Sequence, residues 1–261
     1  MKLLFWNLYN KENSKHVTTL ISEREIDIAI FAEYHSLSIK NVNSILDNYT
    51  FQHSLGGNDK ILALYKNDID FSINREQSRY SLYSAQREGK TIVLAGVHLP
   101  ANPYATEGDR TSILKELADD VKDLEKETGI DNTIIIGDFN ANPFSKEIIS
   151  KNGLNAVLFK DLINTQEYVI HNNKRLRRFY IPTLLMLSEE IKQYGSYYYS
   201  SGSESLYWNA FDQVAVRLKL VDSISHIEYC KCVGRESLIT KMGLLNKNIS
   251  DHLPLFVEVL L

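Results

Sequence analysis

The run Ile134-Ile135-Ile136-Gly137-Asp138-Phe139-Asn140 constrains the fold most, because a strongly apolar segment ends abruptly there in a carboxylate and an amide. Three consecutive isoleucines favour a strand covered on both faces, and the Gly, Asn and Pro residues that follow prevent its continuation. If the extended conformation persists through Phe139, the side chains of Asp138 and Asn140 point the same way at the rim of a sheet. The segment is therefore either a polar turn after a buried strand or one wall of a site.

Short apolar runs of this kind recur along the chain and predict further strands. The runs are bounded mostly by Gly, Asn, Asp or Pro and are too short for core helices. The predicted strands are Leu3 to Trp6, Ile26 to Phe31, Lys60 to Tyr65, Thr91 to Val97 and Thr133 to Ile136, then Phe211 to Leu220, Ser223 to Cys232 and Leu253 to Leu260.

Apolar residues spaced three and four apart predict helices at Ser14 to Arg24, Ser38 to Leu46 and Asp109 to Glu127. Asp109 is the expected N-cap of the last helix, and Gly129 the expected stop. This order of elements predicts an α/β (α+β) fold in which two mixed β-sheets pack together with helices outside. At 261 residues the chain can form one large domain, and we expect a single domain over residues 1–261.

Composition excludes several classes of protein. The formal net charge of −4 argues against a general nucleic-acid coat, although a local basic stripe can still serve one groove. Two cysteines, Cys230 and Cys232, provide neither a disulfide framework nor a zinc site, so structural thiols are expected. The apolar run at Met1 to Asn7 is too short for a signal peptide, and no segment approaches the roughly 20 apolar residues of a membrane helix. We therefore expect a cytoplasmic protein without a membrane span.

Polar side chains stand at six strand ends. Asn7, Glu33, His98 and Asp138 follow predicted strands, whereas Asp212 and the pair Asp251-His252 precede them. Four of these residues follow their strands and the others precede theirs. If the strands that begin after Asp212 and after His252 run antiparallel to the other four, all these positions gather on one edge. Each residue also has an ordinary explanation, such as a turn cap, a surface acid, a rim histidine, or an ion pair of Asp212 with Arg217. A single functional site at this edge explains the whole set more simply.

The chemistry of this set suits phosphoester cleavage. The oxygen atoms of Glu33, Asp251 and the Asn7 amide are ligands that a hard cation prefers, and Mg²⁺ in particular is held by one or two carboxylates. Two histidines and the pair Asp138 and Asn140 would add water activation, proton transfer and contacts to phosphate. The residues therefore predict a Mg²⁺ site, with Mn²⁺ as a substitute, next to acid and base groups.

Six motifs in this order resemble those of the endonuclease/exonuclease/phosphatase superfamily, the DNase I-like metal-dependent phosphoesterases. The motifs are Trp6-Asn7, Ala32-Glu33, Val97-His98-Leu99, Gly137-Asp138-Phe139-Asn140, Phe211-Asp212-Gln213 and Ser250-Asp251-His252, and they span nearly the whole chain. The resemblance implies a four-layered α/β sandwich with Mg²⁺ bound at one rim.

The same resemblance implies a role for each residue. Asn7, Glu33 and Asp251 would hold the metal ion. Asp138 would orient or deprotonate the attacking water, Asn140 would donate to the scissile phosphate, and His98 would stabilise the phosphate or the leaving oxygen. His252 would contact phosphate and exchange a proton, while Asp212 would orient the His252 ring.

At three points this sequence differs from the patterns found in branches of the superfamily. Tyr9 occupies a position where many nucleases of the group have Asp, so a second metal contact there is in doubt. His98 stands where the abasic-site endonucleases have Tyr. The Trp-x-Gly-Asp-x-Asn-x-Arg run of the inositol 5-phosphatases is absent, since Ile136 precedes Gly137-Asp138.

A basic and aromatic region between Asn155 and Trp208 bears on the substrate. The densest positive run is Lys174 to Arg178, and Tyr197-Tyr198-Tyr199 and Trp208 follow it. Positive charge with aromatic surface suits a nucleic-acid backbone with exposed bases, although a solvated basic turn and packing tyrosines explain the pattern equally well. The substrate-binding candidates are Arg175, Arg177, Arg178, Tyr198 and Trp208.

The sequence thus predicts a Mg²⁺-dependent phosphodiesterase, foremost a nuclease acting on DNA or RNA through attack by water, with no obligatory protein partner. The alternative is a phosphomonoesterase or lipid-headgroup phosphodiesterase that uses the same site. A non-catalytic binding module is a third hypothesis, and it is disfavoured because Glu33, Asp138, Asn140, Asp251 and His252 are all present.

Overall fold

The structure is a computed structural model that describes residues 1–187, 193–202, 205 and 207–261. Its strands, in chain order, are β1 (Lys2–Asn7), β2 (Ile28–Ala32), β3 (Tyr49–Gln52), β4 (Ile61–Lys66), β5 (Asp70–Gln77), β6 (Tyr80–Arg87), β7 (Lys90–His98), β8 (Thr133–Asp138), β9 (Ala156–Val157), β10 (Tyr168–His171), β11 (Lys174–Arg177), β12 (Phe179–Tyr180), β13 (Tyr197–Tyr198), β14 (Trp208–Asn209), β15 (Asp212–Val216), β16 (Ile224–Tyr229), β17 (Cys232–Val233), β18 (Glu236–Ser237) and β19 (Leu255–Val259).

The helices are mostly short. They are α1 (Ser14–Arg24), α2 (Ile39–Asn43), α3 (Glu107–Thr128), α4 (Lys146–Ile149) and α5 (Lys160–Thr165), with 3₁₀ turns at Pro182–Leu185 and Leu218–Ser223. None of the described helices is long and apolar enough to cross a membrane.

Two large sheets organise the fold. The first has six strands in the order β16-β19-β1-β2-β4-β3, and the second has seven in the order β5-β6-β7-β8-β15-β12-β9. Both are mixed, because β1 runs parallel to β2 and β7 parallel to β8 while their outer neighbours are antiparallel. Their inner faces pack together: a Cβ added at Gly96 of β7 would meet Ile30 of β2 and Ile61 of β4 at 3.0 and 3.1 Å.

Helices cover the outer faces of this sandwich. Leu114, Leu117, Val121 and Leu124 of α3 are buried in one hydrophobic cluster with strands of the second sheet. Val17, Leu20 and Ile21 of α1 are buried in a second cluster that contains the first sheet. The predicted fold class, two packed mixed sheets flanked by helices, is confirmed, whereas the single domain expected over residues 1–261 stays a prediction.

Several predicted boundaries are wrong for identifiable reasons. α3 begins at Glu107, because Thr106 is its N-cap and accepts a hydrogen bond from the Asp109 amide, so that Asp109 is the third helical residue of a capping box. The strand predicted to reach Leu220 ends at Val216, where the buried Arg217 begins a different set of contacts. The helix predicted over Ser38 to Leu46 is confined to Ile39–Asn43. Gly129 is the left-handed C-cap of α3, as predicted.

The glycine before Asp138 is required by a close approach between neighbouring strands. A Cβ added at Gly137 would lie 2.1 Å from the carbonyl oxygen of Val97 in the adjacent parallel strand. Since backbone atoms cannot move aside as a flexible side chain can, we expect Gly137→Ala to destabilise the protein by about 1–3 kcal/mol or more.

Urea unfolding followed by circular dichroism measures this loss. The matched control is Gly108→Ala in the first turn of α3, where the nearest atom to the new Cβ is Thr106 Oγ1 at 3.6 Å. We expect Gly108→Ala to be neutral or stabilising, by about 0.5–1 kcal/mol at most. Equal midpoints for the two variants would contradict the close-approach argument.

Candidate active site

Strand register brings the polar strand ends to one edge of the sandwich. Asn7 ends β1 opposite Ala32 of the parallel strand β2, so Glu33 follows directly beside it. In the second sheet His98 of β7 lies opposite Asp138 of β8, and Asp212 of the antiparallel strand β15 also lies opposite Asp138. β19 runs antiparallel to β1, and His252 comes just before it. The opposite strand directions that the sequence analysis required are therefore present.

Asn7 connects the two sheets through its amide. Its Nδ2 donates to Glu33 Oε1 at 3.3 Å and to Asp138 Oδ2 at 3.2 Å, while its Oδ1 accepts from the Tyr9 amide at 3.0 Å. Asn7 thus positions two carboxylates, and its oxygen is engaged by the backbone. The expected role of the Asn7 oxygen as a metal ligand stays a prediction, since this oxygen keeps a second lone pair.

Asp138 lies at the centre of the cluster. Its Oδ1 accepts from the Asn140 amide at 2.8 Å, and its side chain is 1% exposed. His98 Nε2 faces Asp138 Oδ2 at 3.9 Å and Glu33 Oε1 at 3.8 Å. His252 Nε2 faces the same Asp138 oxygen at 3.8 Å. These separations exceed direct hydrogen bonds, so the two ring nitrogens and the carboxylate oxygen keep hydrogen-bonding capacity for a water or a substrate.

His252 and Asp212 form a buried pair. His252 Nδ1 lies 2.8 Å from Asp212 Oδ2, which fixes the ring with Nε2 toward Asp138. Burial alone would lower the pKa of His252, but the carboxylates of Asp212 and Asp138 raise it to about 10. Burial raises the pKa of Asp212, and the charge of His252 opposes that rise. We assign the proton of the pair to His252, because its ring faces a second carboxylate.

His98 differs from His252 in its electrostatics. Burial lowers the pKa of His98, although the carboxylates of Asp138 and Glu33 act in the opposite direction. Its Nδ1 is buried and has no hydrogen-bond partner among the described residues. The edge therefore holds one imidazole that favours the charged form and one that favours the neutral form, both within 4 Å of Asp138.

Asn140 does not extend the strand as predicted. Its φ of +45° is left-handed, and its Nδ2 donates to the Leu99 carbonyl at 2.8 Å. The extended geometry ends at Asp138, because the Asp138 carboxylate accepts from the Asn140 amide and closes an Asx-type turn. The expectation that the two side chains point the same way along an extended segment was therefore wrong, although both residues remain at the same edge.

Two sets of side chains offer ligands for a divalent cation. Within the described part of the chain, Asp138, Asp212 and His252 bring ligand atoms within 4.8 Å of one another. The second set is Glu33 and Asp251, where burial raises the pKa of the Asp251 carboxyl and the charge of Glu33 adds to the rise. The Glu33 side chain is 32% exposed and its oxygens accept only long bonds of 3.3 Å, from Asn7 and Asn10. An all-oxygen pair of carboxylates that repel one another fits a hard cation.

Comparison with known sequences gives no match, whereas comparison with solved structures gives several. No protein-family model matches the chain, and no curated protein sequence does. Solved structures do match: the endonuclease domain of TRAS1, a telomere-specific non-LTR retrotransposon, aligns with a TM-score of 0.60 and 14% identity, covering 100% of this chain and 98% of that one. Truncated TDP2 of Caenorhabditis elegans aligns with a TM-score of 0.61 and 12% identity, covering 100% and 97%.

A third match is the 3'-5' exonuclease NExo of Neisseria meningitidis, with a TM-score of 0.55, 14% identity and 99% coverage of both chains. These neighbours are members of one superfamily. The chain has the DNase I-like fold, the α/β sandwich that these structures share. At 12 to 14% identity, the likeness establishes the fold.

Four of the nine described non-glycine residues with left-handed φ lie at the candidate site of this DNase I-like fold. Among the non-glycine residues with left-handed φ are Tyr9 (+52°), Asn10 (+49°), Glu33 (+46°) and Asn140 (+45°). Such conformations cost about 1–3 kcal/mol each and persist where surrounding contacts over-determine them. Here hydrogen bonds supply those contacts, including Asn10 N to the Glu33 carbonyl at 2.8 Å.

Sequence reasoning missed three residues that support the site. Tyr197 packs its ring 4.9 Å from the His252 ring. Ser250 Oγ donates to the Asn7 carbonyl at 2.7 Å and accepts from the His252 amide at 3.0 Å. Asn10 Nδ2 donates to Glu33 Oε2 at 3.3 Å. Only Ser250 carried a usable signal, since it lies in the same short motif as Asp251 and His252.

The basic run lies away from the candidate site, and its role in substrate binding stays a prediction. Arg217 Nη1 donates to the carbonyls of Arg177 and Arg178, and the Arg217 amide donates to Thr133 at the start of β8. Asp138 lies at the other end of β8, roughly 17 Å away at about 3.3 Å per residue. Sequence order alone does not show which end of a sheet a hairpin reaches, so the position of the basic run follows only from the structure.

The individual arginines of the run have different partners. Arg177 forms ion pairs with Glu167, Asp131 and Glu125 and is structural rather than available to a substrate. Arg178 donates to the Gln166 carbonyl at 2.9 Å, and the Arg175 guanidinium stacks 3.7 Å above the Tyr168 ring.

The aromatic candidates lie closer to the candidate site. Tyr198 and Trp208 face each other across the β13–β14 pair with ring centroids 5.4 Å apart, and the preceding residue, Tyr197, contacts His252. Both rings are half-buried and pack against the core, which limits their area for a ligand. Tyr199 and Tyr207 in the same segment are 49% and 45% exposed.

Proposed function

We propose that this protein is a divalent-metal-dependent phosphodiesterase that hydrolyses nucleic-acid phosphodiester bonds, with Mg²⁺ as the preferred ion. The observation that carries the proposal is the arrangement around Asp138. Two imidazole nitrogens face its Oδ2 at 3.8 and 3.9 Å, and one of these rings is held by Asp212 at 2.8 Å. An acid, a base and a buried orienting carboxylate at the rim of a DNase I-like sandwich are the groups that phosphoester hydrolysis requires.

Glu33 and Asp251 are the residues that would hold the ion. Their carboxylates offer oxygen ligands at this edge, whereas Asp212 Oδ2 is bonded to His252 and the Asn7 oxygen accepts from the Tyr9 amide. A bound Mg²⁺ would neutralise charge on a phosphate and polarise its oxygens. Asn7 would keep Glu33 and Asp138 in place through its two donated hydrogen bonds.

Asp138 would orient the attacking water and accept its proton. Its Oδ2 faces the rings of His98 and His252, whereas its Oδ1 is fixed by the Asn140 amide. His252, protonated through its pairing with Asp212, would bind a phosphate oxygen through Nε2 and could return a proton to the leaving alcohol. His98 would donate a hydrogen bond to phosphate. Asn140 Nδ2 donates one N–H to the Leu99 carbonyl, and its second N–H would contact phosphate.

Nucleic acid is the preferred substrate class for two reasons. Exposed tyrosines, Tyr199 and Tyr207, lie in the segment that packs on His252, and aromatic rings beside a hydrolytic site can stack unpaired bases. The neighbouring structures also include a Neisseria 3' phosphatase, NExo, bound to a product DNA hairpin. Both observations favour a nucleic acid over a lipid headgroup.

A substrate panel tests the class directly. The purified protein is incubated with duplex DNA, single-stranded DNA, single-stranded RNA, sphingomyelin vesicles, inositol phosphates and bis-p-nitrophenyl phosphate, each with Mg²⁺, with Mn²⁺ and with EDTA. We expect ion-dependent cleavage of at least one nucleic acid, with faster turnover than on the lipid or the inositol phosphates. Turnover confined to sphingomyelin or to inositol phosphates would overturn the assignment to nucleic acid.

A further inference from the structure

A second region of the molecule concentrates positive charge far from the candidate active site. A cavity of about 660 Å³ lies between α3, the β10–β11 hairpin and the segment after β15. Nine lysine and arginine side chains line it against three carboxylates. The whole chain carries a formal charge of −4, so this excess of cations is local and runs against the overall charge.

The three carboxylates in the cavity are already neutralised. Arg217 donates to both oxygens of Glu125 at 2.8 and 3.3 Å. Asp131 pairs with Arg177 at 3.1 Å and with Lys219 at 2.5 Å. Asp119 pairs with Lys115 one helical turn earlier. The remaining cations are therefore not balanced by the acids that share the cavity.

Five of the lysine and arginine side chains that line the cavity form no ion pair with any described carboxylate. Lys122, Lys126, Lys151 and Lys174 are exposed and form no ion pair with any described residue. Arg175 is exposed as well, and its guanidinium stacks on Tyr168, which leaves its N–H groups free to point outward. A ligand that carries several negative charges would find complementary groups on both walls of the cavity.

The spacing of these cations favours an extended polyanion over a single phosphate. Lys122 and Lys126 lie along α3, Lys115 with its exposed partner Asp119 continues their row toward the start of the helix, and at about 1.5 Å per residue the three span roughly 16 Å. A nucleic-acid strand carries one charge per about 3.4 Å of duplex axis, so the row can match several successive phosphates. α3 follows β7 by a short loop, so it starts near the edge that holds His98 and leads away from it.

We propose that this cationic cavity is a second nucleic-acid site, which holds the phosphate backbone of a strand whose other part lies in the candidate active site. The proposal rests on the proposed function and adds a minimum substrate length for binding at both sites. Because the sites are separated by at least the length of β8, roughly 17 Å, a substrate shorter than about five base pairs cannot occupy both.

The test removes three available cations together. In Lys122→Gln/Lys126→Gln/Arg175→Gln, we expect the Kd for a 20-mer duplex or single strand, measured in EDTA by fluorescence anisotropy, to rise by on the order of tenfold. The slope of log Kd against log salt should fall by about 2 to 3. The matched control, Lys15→Gln/Lys40→Gln/Lys241→Gln, changes the net charge equally at exposed lysines outside the cavity and should leave both quantities unchanged.

Activity measurements separate this proposal from the function on which it rests. Ion-dependent hydrolysis of bis-p-nitrophenyl phosphate should be the same in the triple variant as in the wild type, whereas KM for the 20-mer should rise and kcat should change little. An unchanged Kd and salt slope would overturn the second site, even if hydrolysis is normal. Absence of all hydrolysis by the wild type, with the Kd change intact, would contradict the proposed function alone. Binding of inorganic polyphosphate without binding of either nucleic acid would also overturn the proposal.

Discussion

Replacing His252 by Gln is expected to lower kcat on the preferred phosphodiester by about 100- to 10,000-fold, the usual range for one acid/base group. The imidazole is held by Asp212 at 2.8 Å and faces Asp138 at 3.8 Å, and its pKa is raised to about 10, whereas burial lowers the pKa of the neighbouring His98. Glutamine keeps a hydrogen-bonding side chain but cannot be protonated. Initial rates under saturating substrate and ion measure the loss.

The control for this variant is His226→Gln, because the His226 side chain is 50% exposed and pairs only with Glu228. Its kcat should equal that of the wild type. Asp212→Asn should also lower kcat, and the double variant His252→Gln/Asp212→Asn should be no slower than the slower single variant, since paired residues act as a unit. Turnover by His252→Gln at the wild-type rate would show that His252 takes no part in the reaction.

Replacing Glu33 by Gln is expected to abolish tight binding of Mg²⁺ and Mn²⁺ and with it nearly all turnover. Glu33 and Asp251 are the carboxylates that remain open to a cation, and loss of one charge removes half of that set. Isothermal titration with each ion measures binding without relying on activity. Glu116→Gln, at an exposed position on α3, is the matched control and should bind the ion as the wild type does.

The same titration separates the two candidate ligand sets. If the ion were held by Asp138, Asp212 and His252, whose ligand atoms lie within 4.8 Å of one another, Asp212→Asn would abolish binding and Glu33→Gln would spare it. We expect the reverse, because Asp212 is fully buried and its Oδ2 already accepts from His252. A titration in which only Asp212→Asn loses the ion would move the proposed site to that cluster.

The buried parts of the fold could be predicted because their pattern is local. The run Ile134-Ile135-Ile136 is strand β8, and Val17, Leu20 and Ile21 identify the buried face of α1, whose predicted bounds match those observed. The edge of the site was predictable for a related reason: each polar residue ends or precedes a strand, and strand direction then determines which side chains meet.

Features set by a specific hydrogen bond or by distant contacts could not be predicted in this way. The helix α3 starts two residues early because the Thr106 side chain caps it, although Asp109 looks equally suitable in the sequence. The Asn140 side chain does not point along with that of Asp138, because its Nδ2 donates to the carbonyl of Leu99, 41 positions earlier in the sequence. The basic run at Lys174 to Arg178 lies at the far end of the sheet because Arg217 and Thr133 fix it there.

The most direct test of the central claim is cleavage of labelled DNA and RNA by purified wild type and Asp138→Asn, with and without Mg²⁺. Asp70→Asn, an exposed position with the same chemical change, serves as the control. We predict Mg²⁺-dependent cleavage by the wild type and by Asp70→Asn, and a rate lower by about 100- to 10,000-fold in Asp138→Asn. Equal rates in Asp138→Asn and the wild type, or no cleavage of any nucleic acid by the wild type with Mg²⁺ or Mn²⁺, would contradict the account.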